Sequence, residues 1–439
     1  MLEVEKLNLS RIQETCAKQK TRWWDVFAEY AVHKTYSFKN NVFYGVRESE
    51  IKGYGIRMNI DGKTGFSFCN DIAMLDSVME YARETARYGE IEEYDLPAKQ
   101  PTPHVECYDG NIFNKDTQYY LQTLQNVVDT IRSAYSDCMV DAGLGCVDGY
   151  IHLINSRGFD SGYHYSRQGS TISALRILPD GSRVQVYESI TWNSDVNIHE
   201  LSERIIQKLN FSKQTVKMPF GNYYVIFTPK AFGQIMGVVL QGLTGRSIER
   251  GISRYIGKFG EKVFGRQFTV YDNPLIDFAP GSYPFDDEGI PAKSKTIIEN
   301  GYVKTYIAHL QSAHLLHVQP TGNASRGYAI LPQESFSNIV VEPGTTSFKD
   351  MIAQMGTGII IDQFIGFGQS NTLMGDFSAN LDLAWLVVQG EVKGRLTNSM
   401  VSGDVTTMLN DKIVLSSERE WGGDAYLPYV LCRINYSTT

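Results

Sequence analysis

The sequence predicts an α+β protein, with a mixed α/β amino-terminal domain over residues 1–215 and a β-rich carboxy-terminal domain over 216–439. Three observations lead there. Residues 23–69 read as strands, with apolar alternation at 24–30, and three or four more strands run from about 146 to 191 between turn signals. Segments near 71–82, 116–131 and 198–209 switch to a 3.6-residue period, and after about Val263 short apolar runs are punctuated by glycine.

In the first strand region Trp24, Val26, Ala28 and Tyr30 alternate with Asp25, Phe27 and Glu29. A second run, 55–60, leads into Asp61-Gly62, a hairpin turn signal that pairs Ile56–Ile60 with Gly65–Phe68. Asp71 can cap a helix carrying Met74, Val78, Tyr81 and Ala82. Beyond Pro97, Pro101 and Pro103, Asp116 can start a helix whose buried face is Tyr120, Leu124, Val127 and Ile131. Three or four strands follow from about Cys146 to Thr191, broken at 156–158 and 179–181, and then a helix with Ile198, Leu201, Ile205 and Leu209 on one face. The boundary falls before Lys217-Met218-Pro219. Tyr223–Phe227 reads as a strand, and Pro229 opens a helix at the position that needs no backbone donor. Phe232, Ile235, Met236, Val239, Leu240 and Leu243 give that helix a broad apolar face, while Gly233 and Gly237 permit close approach. A later helix has Ser347 and Asp350 as a capping box and Gly356 as its terminator.

Composition narrows the function classes. The 439 residues are 42% hydrophobic and 12% aromatic, enough for well-filled cores, and the net charge of −8 argues against a general nucleic-acid binder. Arg246, Arg250, Arg254 and Lys258 would share one face if helical, and read as a solvated face. The first thirty residues contain no apolar leader and no window is long enough to span a membrane, so a cytoplasmic location is expected. Six scattered cysteines (16, 69, 107, 138, 146 and 432) read as reduced, buried thiols.

Common catalytic templates fail. Gly62-Lys63-Thr64 lacks the earlier glycine of a phosphate loop, and no GxSxG or Ser-x-x-Lys is present. Gly366-Phe367-Gly368 lacks the third glycine of a dinucleotide fingerprint. His199-Glu200 is followed by Glu203 and Arg204, so neither HExxH nor HExxxH is completed. On one helix His314 and His317 would fall about 60° apart and His309 about 140° from His314, a poor convergence for a metal. The densest chemical feature is Pro284-Phe285-Asp286-Asp287-Glu288-Gly289. Three adjacent carboxylates can grip a cation, raise one another's pKa, or cap a turn; turn capping is the favoured reading, because all three cannot point inward from one turn.

The ordered set Gly53-Tyr54-Gly55-Ile56-Arg57, Gly65-Phe66, 284–289, Thr321-Gly322-Asn323-Ala324, Glu342-Pro343-Gly344 and Gly375-Asp376-Phe377-Ser378 resembles the TldD/PmbA (TldE) family over nearly the whole chain. The family is known as modulators of DNA gyrase and as metallopeptidases. The resemblance implies an α+β domain followed by a β-rich domain, in a dimer whose interior admits unfolded peptide. In the TldD branch the helix after the opening strand of the second domain carries HExxxH, and a cysteine near the carboxy terminus completes a zinc site. Here that helix reads Lys230-Ala231-Phe232-Gly233-Gln234-Ile235-Met236-Gly237-Val238-Val239-Leu240, with neither His nor Glu, and 420–424 has no cysteine. The chain therefore resembles the PmbA branch. The resemblance implies a non-catalytic subunit with no cofactor of its own, zinc in a TldD-like partner, and a heterodimer with that HExxxH subunit or a homodimer. It implies an unfolded peptide substrate, with no membrane and no direct nucleic-acid contact. Peptide-facing candidates are Gln234, Gly237, Asp286, Asp287, Glu288, Gly366, Gly368, Gly375, Asp376 and Ser378. Alternatives are a self-sufficient metallopeptidase using His309, His314, His317 or the 286–288 carboxylates, and a non-enzymatic peptide-binding or gyrase-modulating protein.

Overall fold

The computed structural model describes residues 7, 9–179, 181–367, 374–410 and 412–438. The first half is one antiparallel sheet with helices on one side. Strands β1 (Trp23–Lys39), β2 (Val42–Ile60), β3 (Lys63–Cys69), β4 (Met139–Asn155), β5 (Asp160–Ile177) and β6 (Arg183–Trp192) lie in the order β3-β2-β1-β4-β5-β6. The β2–β3 register pairs Ile60 with Lys63 and Ile56 with Ser67. It closes on Asp61 and Gly62, both at positive φ, as a two-residue hairpin turn requires. Strand β4 begins at Met139, earlier than expected, because Val140, Ala142, Leu144 and Cys146 keep the buried alternation past Gly143 and Gly145.

Helices α1 (Leu9–Ala17) and α2 (Leu75–Ala86) pack Ile12, Leu75, Val78 and Ala82 against Trp24, Val26, Ala28 and Tyr30. Asp71 caps a short 3-10 turn that leads into α2. Residues α3 (Thr117–Ala134) and α4 (His199–Phe211) bring Leu124, Val127, Ile131, Leu201 and Ile205 to a second core. The Asp116 side chain accepts from Tyr119 N–H at 2.8 Å and so caps α3.

The second half contains β7 (Thr215–Val216), β8 (Gly221–Phe227), α5 (Pro229–Gly242), α6 (Gly245–Glu249), β9 (Val270–Asp272), β10 (Lys295–Glu299), β11 (Tyr302–Val303), α7 (Leu310–Leu315), β12 (Ala324–Ser325), β13 (Gln333–Glu334) and β14 (Ile339–Val341). After these come α8 (Phe348–Met355), β15 (Thr357–Ile365), β16 (Asp376–Val388), β17 (Glu391–Leu396), β18 (Ser399–Asp404), α9 (Val405–Met408), β19 (Val414–Gly422) and β20 (Ala425–Thr438). Pairings β8–β15, β15–β16, β16–β18, β18–β20 and β20–β8 close five strands into a barrel. Closure leaves these strands few free edges.

Alternation along β8 assigns its two faces to two cores. Val225 and Phe227 meet α5 through Phe232, Ile235 and Val239, while Ile226 joins the core built by α3 and α4. Met351, Ile360, Leu383, Trp385 and Leu431 join it too, so the two halves share a hydrophobic core.

Helix α6 ends at Glu249, so Arg246, Arg250, Arg254 and Lys258 do not form one helical stripe; Arg254 instead pairs with Asp404 of β18. No helix of the described residues is long and apolar enough to cross a membrane.

Candidate functional site at the seam between the halves

The first six residues of β1 are buried on both faces, which departs from simple alternation. The acidic turn is the cause. Phe285 packs with Phe27, Leu153 and Phe159 on the sheet face opposite α1 and α2, its ring 5.2 Å from Phe159 and 5.4 Å from Tyr163. That contact seats residues 286–288 against the first-half sheet, where each carboxylate finds different partners.

Asp286 is a turn cap. Its Oδ1 accepts from the N–H groups of Glu288 (3.0 Å) and Ile290 (2.9 Å), and its Oδ2 from Ala324 (2.9 Å). Asp287 Oδ2 accepts from Arg326 N–H at 2.7 Å. Glu288 is 1% exposed, and its oxygens take Arg57 Nη1 at 2.9 Å and the Leu310 N–H at 2.8 Å. Expected to face peptide, Glu288 instead has its carboxylate committed inside the protein.

Arg57 also binds Asp25 (2.5 Å), and Asp25 binds Arg326 (2.9 Å). Glu288, Arg57, Asp25 and Arg326 thus form a buried chain of alternating charge, drawn from β1, β2 and two second-half loops. Burial alone would raise the Asp25 pKa; the Arg326 and Arg57 guanidiniums overcome it and hold the carboxyl below its ordinary range. Asp286 and Asp287 make no such ion pair among the described residues, and the Arg326 charge offsets burial at Asp287 only in part. Burial, reinforced by the Glu288 charge at Asp286, pushes both up to about 7 despite their backbone donors.

Asp286 and Asp287 line a cavity of 570 Å³ between the halves, with Tyr163, Tyr165 and Arg167 from β5 and Arg326 and Asp424 from the second half. None of Gln234, Gly237, Gly366, Gly375, Asp376 or Ser378 is in its wall. Gln234 is half-buried and Gly237 exposed on α5; Gly366 lies at the end of β15, and Gly368 falls outside the described residues. Gly375 is buried at φ +85°, where an added Cβ would strike the Arg254 guanidinium. Asp376 and Ser378 pair in register with Asp404 and Ser402 of β18, so one edge of that segment is already occupied.

The donor set on α5 does not fit zinc. Its one ionisable side chain, Lys230, is drawn away to the Tyr187 carbonyl, Gln363 Oε1 (2.8 Å), Glu188 (3.3 Å) and Asp362 (3.4 Å). An amide such as Gln234 is a weak zinc ligand, and burial raises the Cys432 thiol pKa, which disfavours the thiolate that binds metal. The three histidines do not converge. His309 Nδ1 is held by Ser312 Oγ (2.9 Å) and Glu334 Oε1 (3.2 Å), whereas His314 and His317 are exposed. Among the described residues no group of three or more His, Cys, Asp or Glu is placed to hold a metal ion.

Sequence reasoning did not single out Asp25, Tyr163, Arg167, Arg326 or Asp424 as site residues. Alternation set Asp25 on the face opposite Trp24 and Val26, and Arg57 entered only as part of the 53–57 motif.

Residues 24–87 match PmbA/TldA metallopeptidase domain 1, and residues 220–436 match the PmbA/TldA metallopeptidase C-terminal domain. An uncharacterized protein of Methanocaldococcus jannaschii is 26% identical over 88% of each chain. A metalloprotease of Methanothermobacter thermautotrophicus is 23% identical, covering 90% of this chain and 88% of its own. A metalloprotease PmbA homolog of Haemophilus influenzae is 26% identical over 50% of this chain and 46% of its own. In three dimensions the chain is similar to TldE from Thermococcus kodakarensis, with a TM-score of 0.88 at 19% identity over 98% of this chain and 99% of that one. The sequence motifs, the two matched segments and the shared fold agree: this chain belongs to the PmbA/TldD metallopeptidase family.

Proposed function

We propose that this chain is the PmbA/TldE-like subunit of a protease complex, lacking a zinc site of its own and working beside a TldD-like, HExxxH-bearing sibling that cuts small or unfolded peptides. The observation that carries this reading is α5. The helix that would need two imidazoles and a general base offers Gln234 and Gly237, and its one cation is tied to Glu188 and Asp362. A peptidase needs a polarising metal or an activated nucleophile, and an uncharged amide supplies neither.

The role left to such a subunit is to complete the partner's peptide channel. The loop at Gly366, the segment from Gly375 to Ser378 and the cavity at Asp286 and Asp287 are its candidate contacts. Backbone pairing would suit a substrate defined by extension rather than by side chains. A cytoplasmic setting, and a heterodimer in preference to a homodimer, belong to this proposal.

The test assays this chain, an HExxxH sibling and their equimolar mixture against unstructured peptides, with and without a zinc chelator. Chelator-sensitive cleavage is expected only in the mixture. Equal cleavage by this chain alone overturns the reading.

A further inference from the structure

Arg57 lines a second cavity between the halves, of 680 Å³, whose walls do not include the acidic-turn carboxylates. Its polar groups divide sharply into those with partners and those without. Glu334 takes the Ser312 hydroxyl and His309 Nδ1 on Oε1, and the Arg246 N–H on Oε2 at 2.9 Å. Glu92 Oε2 takes the Thr64 and Tyr94 hydroxyls, each at 2.6 Å. Glu90 takes Gln311 Nε2 at 2.6 Å and, more loosely, Arg246 at 3.4 Å.

Two donors remain. His309 is 7% exposed, and its ring is pinned through Nδ1, yet its Nε2 has no partner among the described residues although the ring lines the cavity. Arg250 lines the same cavity, exposed, with no ion pair among the described residues. Burial disfavours the imidazolium, but the Glu334 hydrogen bond and the Glu288 and Glu334 charges outweigh it and raise the His309 pKa. Charged, the ring turns an Nε2–H toward the cavity.

We propose that this cavity binds a carboxylate, received by His309 Nε2–H and the Arg250 guanidinium. The carboxylates already in the wall are satisfied, so the missing group is an acceptor. Those same carboxylates disfavour a dianion such as phosphate more than a monoanion, and charge, not guanidinium geometry, makes the choice, since the fork fits both. The ligand is therefore the carboxyl terminus of a peptide or a free small carboxylic acid. The inference rests on the cavity alone, independently of whether an HExxxH sibling exists.

The test is calorimetric titration of the full chain with N-acetyl-trialanine, its carboxy-terminal amide, and propionate. The free-acid peptide is expected to bind at least about tenfold more tightly than the amide, and Arg250→Gln and His309→Gln each to weaken it about fivefold or more. Equal binding of propionate and the free-acid peptide assigns the site to small acids and keeps the carboxylate. The proposal fails if acid and amide bind alike, if neither acid binds at about 10 mM, or if Arg250→Gln, a surface change, leaves affinity unaltered.

Discussion

Arg57 and Glu288, 231 residues apart in the chain, meet at 2.9 Å with both side chains almost wholly removed from solvent. This contact, with Asp25 and Arg326, ties β1 and β2 to the acidic turn. Phe285 seats the turn on the sheet through Phe27, Leu153 and Phe159, while the Trp23 ring lies against the Arg57 guanidinium. A dry ion pair is weak evidence of net stability, but breaking one side of it is costly.

Arg57→Met is therefore expected to destabilise the protein by about 3–5 kcal/mol, since it leaves Asp25 with Arg326 alone and strips Glu288 of its ion pair. Removing Glu288 as well restores charge balance. Urea denaturation of R57M, E288M and the double variant checks this: the double variant should lose less than the sum of the singles, and strict additivity would refute the coupling.

Gly55 lies where the same two halves meet. A Cβ there would sit 2.3 Å from the Tyr328 carbonyl oxygen, a backbone atom that cannot rotate away. Gly55→Ala should cost about 1–3 kcal/mol or more. At Gly45, on the open part of β2, an added Cβ meets nothing within 4 Å, so Gly45→Ala is the control and should stay within about 0.5 kcal/mol. Thermal unfolding of the pair gives the comparison.

Asp287 makes stability depend on pH in an unusual direction. Its folded pKa is pushed up to about 7 from 3.8, so the folded state holds the extra proton between those values. Its contribution is complete below the unfolded pKa and is lost as pH rises through 7. Asp287→Asn, which keeps an acceptor for Arg326 N–H, removes Asp287's share of this dependence and leaves that of Asp286. The variant's Tm relative to the parent should rise by about 2 °C or more between pH 5 and pH 8. An unchanged difference at the two pH values would show that Asp287 is not the group responsible.

Lys230 and Lys208 share Glu188 and Asp362 in a second buried cluster spanning the halves. Lys208 makes the shorter contacts, at 2.6 and 2.7 Å, against 3.3 and 3.4 Å for Lys230. Burial lowers the Lys230 pKa, a sign that this cation is incompletely compensated. Lys208→Met should therefore cost more than Lys230→Met, with about 3–5 kcal/mol for the former. Hydrogen exchange should report loosening in β6 and the first turn of α5 for both variants. Equal, small effects would argue that the cluster carries little of the interdomain contact.

Short-range devices were legible because each is completed within a few residues. Asp116 and Ser347 cap helices through their own third neighbours, Asp61-Gly62 turns a hairpin, Pro229 opens α5, and Gly356 closes α8 at φ +62°. The missing zinc ligands on α5 were equally plain, since a residue type that is absent cannot be supplied by folding. The partners of the acidic run were not legible. Asp286, Asp287 and Glu288 are consecutive, yet one caps its own turn, one lines a cavity with Tyr163 and Arg326, and one is buried against Arg57.

What the sequence determined by itself was local geometry, the family, and the chemistry that α5 cannot perform. What only the tertiary structure decided was which charges meet: Asp25 with Arg57 and Arg326, Glu288 with Arg57, and His309 with Glu334. The physical reason is range. Caps and turns depend on backbone angles a few residues apart, whereas burial, and with it the pairing and pKa of a charge, depends on segments brought together from across the chain.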